Sequence, residues 1–303
     1  MGRPTAGGGR LARALSIVQR TPRPVLDAAS ALGAWQQSWR PGPGVRQWQR
    51  TVTTMTGVAP DRATTRRAVV SWARNLIESA QLASWSPEEI VSRVEIAPDD
   101  LERLRSAHRT TGAVVALPHL GSWDHAGAWA CLTGMPVSSV AEQLPPADYE
   151  FFAAAREALG MRIYPHRDPH VITRLVDDCR AGRLVCLLAD RNFSRSGVEV
   201  DWPTAGGPRR VRVPAGPAQV ALETGATLLA VTTHYNGARL HIDVSDPIAA
   251  PPGPDQVAAL SQGVVDVFAP AIRRRPYDWH VLQPFFPEDR AQAAVPHVES
   301  GAA

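Results

Sequence analysis

The apolar positions of the chain change period near residue 112. Before that point they recur at steps of three and four residues, as on amphipathic helices. LARALSIV and VLDAASALGAW read this way, WRPGPG at 39–44 interrupts them, and VRQWQRTVTTMTG resumes the pattern. Thr64 to Ser84 carries Val69, Trp72, Leu76 and Ala80 on one stripe. Ser86-Pro87-Glu88-Glu89 has the form of a helix start with Pro at its first position. Pro98 to His108 predicts one more amphipathic helix. The first third of the chain is therefore predicted to be helical.

After residue 112 short apolar runs alternate with helical stretches. Ala113 to Leu117, with β-branched Val114 and Val115, predicts a buried strand. Further strands are predicted at Val137–Ala141, Met161–Tyr164, Leu184–Ala189, Ala226–His234 and Arg239–Val244. A turn at Asn236-Gly237 marks the last two as a hairpin. Helices are predicted at Trp123–Leu132, Tyr149–Leu159, His170–Cys179, Val213–Glu223 and Asp255–Phe268, and Asp190 to Trp202 reads as a loop. This alternation predicts an α/β fold, a central mixed sheet flanked by helices, with a helical N-terminal third. With 303 residues, 44% of them hydrophobic, residues 1–303 are read as a single α/β domain.

Charge changes the picture at the N-terminus. The net charge is +3 and every one of the 32 basic residues is Arg. Residues 1–50 hold eight Arg against Asp27 alone, a local charge of +7. On helical segments this makes residues 1–50 a basic amphipathic, membrane-contacting segment, though helices of this kind can also simply cover a domain. No run reaches about 18 apolar residues, so no spanning helix is predicted. Cys131, Cys179 and Cys186 are odd in number and lie in apolar surroundings, which argues against a disulfide framework. No zinc spacing, P-loop or G-x-G-x-x-G is present in the first third of the chain. The sequence predicts neither a metal nor a resident cofactor, and no nucleic-acid partner.

Candidate chemistry centres on PHLGSWD, 118–124. His119 follows the strand at Ala113–Leu117, and Gly121 and Ser122 supply turn and helix N-cap chemistry. His119 and Asp124 form an H-x4-D pair. On one continuous helix, steps of about 100° would put them on different faces. With a loop between them both can face a cleft at the carboxyl end of a strand, where open α/β sheets bind ligands. The spacing alone says little, since composition predicts about one such pair by chance. His241 to Asp246, the second pair, lies on a strand and its turn and is read as structural.

Four blocks carry a resemblance: PHLGSWD at 118–124, FFAAAREALG at 151–160, DRNFSRSGVEV at 190–200 and VPAGPAQVALETGATLL at 213–229. In this order, with RRPYDWHVLQPFF at 274–286, they resemble the lysophospholipid-type acyltransferase superfamily, in its branch of lipid A and phosphatidylinositol mannoside acyltransferases. The wording of the third and fourth blocks is closest to the phosphatidylinositol mannoside enzymes. The resemblance implies transfer of a fatty acyl chain from acyl-CoA, palmitoyl-CoA as co-substrate, to a hydroxyl of a glycolipid, a mannose of phosphatidylinositol mannoside. It places the enzyme peripherally on the cytoplasmic face of the inner membrane, with the acceptor held in an anionic bilayer. Other outcomes of the same residues are a lipid A type or other lysophospholipid acyltransferase, an acyl-CoA thioesterase-like hydrolase, and a non-catalytic lipid-binding protein.

Acyl transfer to a sugar hydroxyl needs a base for the hydroxyl proton and a carboxylate to orient that base. His119 is the natural base. Asp124 could orient it or anchor its loop. The resemblance implies that Glu199 pairs with the histidine; otherwise Glu199 is a solvated loop charge. Arg156 suits a phosphate of an acyl-CoA donor or is a solvated surface Arg. Ser194 and Arg195 are candidates for polar head groups. Pro214 and Gly216 suit a strand-to-helix turn that turns backbone N–H groups toward an anion, or a plain helix start. Arg209, Arg210 and Arg212 read as a solvated or membrane-facing basic patch.

Overall fold

Proline and polar caps punctuate the helical third. Helices α1 (Arg10–Arg20), α2 (Arg23–Trp39), α3 (Pro43–Thr56), α4 (Arg62–Gln81) and α5 (Pro87–Ser92) follow in turn. Proline occupies the first turn of α2, α3 and α5, where its missing N–H would have no partner anyway. Asp61 accepts from the Thr64 amide to cap α4, and Ser86 accepts from Glu89 to cap α5. The protein is seen as a computed structural model that describes residues 10–142, 146–192 and 197–289.

The remainder alternates as its pattern predicts. In chain order come β1 (Val94–Ile96), α6 (Pro98–Thr110), β2 (Ala113–Leu117), α7 (Trp123–Leu132) and β3 (Val137–Ala141). Next are α8 (Pro146–Glu157), β4 (Arg162–Pro165), α9 (Val171–Arg180) and β5 (Leu184–Leu188). Then come β6 (Val198–Trp202), β7 (Arg209–Val213), α10 (Gly216–Thr224), β8 (Thr227–Asn236), β9 (Arg239–Val244) and α11 (Gln256–Arg274). Among the described residues, seven strands form one sheet in the order β1-β9-β8-β2-β5-β3-β4. Strands β8, β2, β5, β3 and β4 are parallel, β9 runs against β8, and β1 is parallel to β9. All five residues of β2 are buried, as expected of a parallel strand covered on both faces. One core joins the sheet to α3, α9, α10 and α11, and the other joins its opposite face to α6 and α7.

Three strands, β1, β6 and β7, are not among the predicted elements. Strand β1 is three residues long and sits at the sheet edge, too short to show a period in the sequence. The second half of the predicted loop at Asp190–Trp202 is β6, paired antiparallel with β7. Its alternation is real: Val200 and Trp202 are buried, whereas Glu199 and Asp201 are exposed. Because Arg209–Val213 is its partner strand, the following helix starts at Gly216 rather than at Val213.

Candidate active site

The centre of the site is created by register. Strands β2 and β5 are parallel neighbours with Leu117 level with Leu188. Two residues beyond each of these leucines stand His119 and Asp190, which therefore arrive together. His119 Nδ1 lies 2.6 Å from Asp190 Oδ1. The His119 amide donates to Oδ2 at 3.0 Å, and the Trp279 indole N–H donates to the same oxygen at 2.8 Å. Burial works to raise the Asp190 carboxyl, but the His119 charge and these hydrogen bonds outweigh it and hold the group below the usual carboxylate range. An ionised acceptor at Nδ1 places the proton there and leaves the lone pair on Nε2. Nε2 has no hydrogen-bond partner among the described residues.

The loop that carries His119 is clamped from two sides. Gly121 has φ 65°, and a Cβ there would stand 2.6 Å from the Thr233 carbonyl oxygen. Both the left-handed backbone and the close approach demand glycine. Thr233 Oγ1 donates to the Leu120 carbonyl at 2.6 Å, and Ser122 accepts from the His125 amide to cap α7. From the other side, residues 278–280 run antiparallel to the loop. The Gly121 amide donates to the Asp278 carbonyl, and the His280 amide donates to the His119 carbonyl at 2.7 Å. Asp278 in turn accepts from the Ser71 hydroxyl at 2.6 Å and from the Tyr235 amide.

His119 lines a cavity of about 310 Å³ between the sheet and α7. Leu117, Leu188 and Cys186 lead inward to Leu184, Val137 and Met161, while α7 contributes Ala126, Gly127 and Ala130. Small side chains on α7 leave the space open; a Cβ on Gly127 would sit 2.8 Å from Met161 Sδ. Leu188 to Leu184 is four strand steps, roughly 13 Å at about 3.3 Å each. Polar groups gather at the carboxyl ends of the strands, where Asp124, Tyr149 and Arg156 join His119. The arrangement matches an aliphatic chain inside and a polar reaction at the entrance.

The expected site residues divide. Asp124 accepts from Arg156 Nε at 2.7 Å and Nη2 at 3.2 Å, and from the Ser79 hydroxyl at 2.8 Å. It anchors the start of α7 to α4 and α8 and does not hold the imidazole. Burial works against the Arg156 charge, and the Asp124 carboxylate more than offsets it. Arg156 is thus an ion-paired wall of the cavity and not a solvated surface residue. The expected His119–Glu199 pairing is corrected. Glu199 lies on the outward face of β6, opposite Arg212, and pairs with Arg212 at 2.7 Å and Arg210 at 3.6 Å. Pro214 precedes α10, and Gly216 begins it, packed near Leu187; neither lines the cavity. Ser194 and Arg195 lie outside the described residues. Asp190 and Trp279 were not anticipated. A usable signal existed, since Asp190 follows the apolar strand LVCLLA just as His119 follows AVVALP.

A mainly parallel sheet with a carboxylate-held histidine at a strand end, opening onto an apolar channel, defines an α/β enzyme that handles acyl chains. The chain belongs to the bacterial lipid A biosynthesis acyltransferase family, whose family model matches residues 12–287, and it is an acyltransferase. It is 33% identical to a phosphatidylinositol mannoside acyltransferase of Mycolicibacterium smegmatis, over 92% of this chain and 89% of that protein. It is 35% identical to a phosphatidylinositol mannoside acyltransferase of Mycobacterium tuberculosis, over 74% of this chain and 70% of that protein.

Proposed function

We propose that this acyltransferase moves a fatty acyl chain from acyl-CoA to a mannose hydroxyl of a phosphatidylinositol mannoside. The observation that carries this reading is His119, gripped at Nδ1 by Asp190 and placed at the polar end of an apolar cavity. The acyl chain occupies the cavity and its thioester carbonyl lies beside His119. Nε2 takes the proton of the sugar hydroxyl as its oxygen attacks the carbonyl carbon. The tetrahedral intermediate collapses with cleavage of the C–S bond, and the imidazolium returns the proton to the departing thiolate. Asp190 stabilises the imidazolium and fixes its tautomer. The names of the relatives support the mannolipid acceptor.

The acceptor is a membrane lipid, so the enzyme works at a bilayer surface. Among the described residues no helix is long and apolar enough to cross a membrane. Helix α2 instead exposes Val25, Leu32, Trp35 and Trp39, which recur at helical spacing on one face. With Ile17 of α1 and the surrounding Arg residues, this face suits shallow insertion among anionic head groups. We place it on the cytoplasmic face of the plasma membrane. The test is incubation with palmitoyl-CoA and phosphatidylinositol mannoside, with products read by mass spectrometry. Acyl mannolipid that disappears in His119→Ala supports the reading. Release of free fatty acid alone identifies a hydrolase, and acylation of a lipid A precursor in place of the mannolipid identifies the other branch.

A further inference from the structure

We propose that the β8–β9 hairpin holds a divalent transition-metal ion of the zinc class, ligated by His234, His241 and Asp243. Linear spacing conceals this cluster, because the ligands come from both arms of the hairpin. His234 lies directly opposite His241, and Asp243 lies opposite Thr232, so all three side chains share the sheet face that α11 covers. The two imidazole rings stand 4.8 Å apart. Asp243 Oδ2 is 3.4 Å from His234 Nδ1, and Oδ1 is 3.3 Å from His241 Nε2. One ligand atom from each of the three residues can be chosen so that all lie within 4.8 Å of one another.

The side chain of Asp243 faces both imidazoles and leaves room for an ion between them. A charge-assisted hydrogen bond closes to about 2.7–2.9 Å, and the His119–Asp190 contact in this same protein is 2.6 Å. The carboxylate of Asp243 stands farther from both imidazoles. Around a tetrahedral ion with bonds of about 2.0–2.2 Å, neighbouring donor atoms are spaced about 3.3–3.5 Å. Each imidazole has one Asp243 oxygen at about that spacing, Oδ2 for His234 and Oδ1 for His241, and one donor atom from each residue lies within 4.8 Å of the others. It also has an outer carboxylate in the right place. With Nε2 of His241 on the metal, its Nδ1–H points to Glu95 Oε2, now 3.8 Å away. Glu95 is itself held by Asn236 at 3.1 Å and Arg239 at 3.0 Å. A carboxylate behind a ligating histidine orients the ring and strengthens the ligand.

Two imidazoles and one carboxylate favour Zn(II), Co(II) or Ni(II) over Mg(II) and Ca(II), which prefer all-oxygen shells. Three protein ligands leave a fourth position for water. The ion competes with Arg274, whose charge already acts on Asp243 from the end of α11. Binding has a structural consequence. His234 stands between Thr233, which holds the Leu120 carbonyl, and Tyr235, whose amide holds Asp278. An ion at His234 therefore stiffens the strand that clamps the His119 loop.

The test uses the full chain without an affinity tag, stripped with chelator and titrated with Zn(II) by calorimetry and with Co(II) by visible absorption. The expected result is one equivalent bound, the intense visible bands of four-coordinate Co(II), and a thermal midpoint that rises with Zn(II). His234→Gln and His241→Gln should each lose the bands and the thermal response while keeping the wild-type circular dichroism spectrum. Glu95→Gln should weaken binding by about 10–100-fold without removing it. Three results overturn the proposal: no stoichiometric uptake, a weak octahedral Co(II) spectrum, or binding that survives His234→Gln/His241→Gln.

Discussion

Asp190→Asn tests the pairing that the register of β2 and β5 creates. The carboxylate accepts three N–H groups, from His119 Nδ1, the His119 amide and the Trp279 indole. Asparagine keeps the shape but offers one acceptor oxygen and one donating NH2. Its oxygen will face the two fixed donors, the amide and the indole. The opposite orientation would leave both of them unpaired, at about 1–3 kcal/mol each. The NH2 then points at Nδ1 and turns that nitrogen into an acceptor. The ring proton moves to Nε2, and the base is lost. The imidazolium formed during transfer also loses its counter-charge.

A correctly held general base contributes about 10²–10⁴ in rate, and the equivalent tautomer error in serine proteases costs about 10⁴. We therefore expect kcat to fall about 10³–10⁴-fold, roughly 4–5.5 kcal/mol of barrier at 1.36 kcal/mol per decade. Single-turnover transfer from radiolabelled palmitoyl-CoA measures it, with circular dichroism as a control for folding. Glu199→Gln is the counterpart. Its pair with Arg212 is half-exposed, and such pairs contribute about 0–1 kcal/mol. Turnover should change less than about 5-fold. If Glu199→Gln suffers the large loss and Asp190→Asn does not, the assignment of Asp190 is wrong.

Trp279→Phe removes one of the two N–H donors on Asp190 Oδ2, a charge-assisted bond worth about 1.5–3 kcal/mol. Steady-state kinetics should show kcat down about 10- to 100-fold with the KM for acyl-CoA unchanged. His280 is depressed to about 3, first by burial and then by the His119 charge. The unfolded chain then binds a proton that the folded one refuses, so stability falls as pH drops below about 6.5. From pH 6.5 to 5 the loss is about 2 kcal/mol in urea unfolding, and His280→Gln should flatten that slope. Trp35→Glu/Trp39→Glu on α2 should abolish flotation with anionic liposomes while sparing hydrolysis of soluble acyl-CoA. Retained flotation would reduce the exposed face to a surface feature.

Elements whose period is long enough were legible in the sequence. Strands at 113–117, 137–141 and 239–244 have the expected ends, because each is a short apolar or alternating run bounded by turn residues. The Gly121-Ser122 turn and cap also follow from local chemistry, since a left-handed residue and an N-cap each restrict residue type. The partner of His119 was not legible by the same route. Local pattern assigns a strand and its faces but does not say which strand lies beside it. Asp190 meets His119 only because β5 is the neighbour of β2 and because both polar residues stand two positions past paired leucines. Family resemblance pointed instead to Glu199. Its neighbours Val200 and Trp202 already alternate with it, and an alternating strand with those two buried turns Glu199 outward.

The histidine pair of the β8–β9 hairpin shows how narrow that margin is. The sequence marks a turn at Asn236-Gly237. Had those two residues formed the loop, Tyr235 would pair with Ala238 and His234 would stand opposite Arg239. The observed loop is one residue later. Gly237 occupies its first position with φ 56°, and Asn236 pairs with Arg239. A two-residue turn with glycine first is the II′ choice, whereas Asn-Gly would be I′. Ala238 decides between them, since a type I′ turn at 237–238 would need a positive φ there, and the non-glycine residues described show none. Moving the loop by one residue moves every pairing by two, and that shift brings His234 level with His241 and both within reach of Asp243. A turn's position, and not its existence, therefore decides whether three scattered polar residues form a cluster.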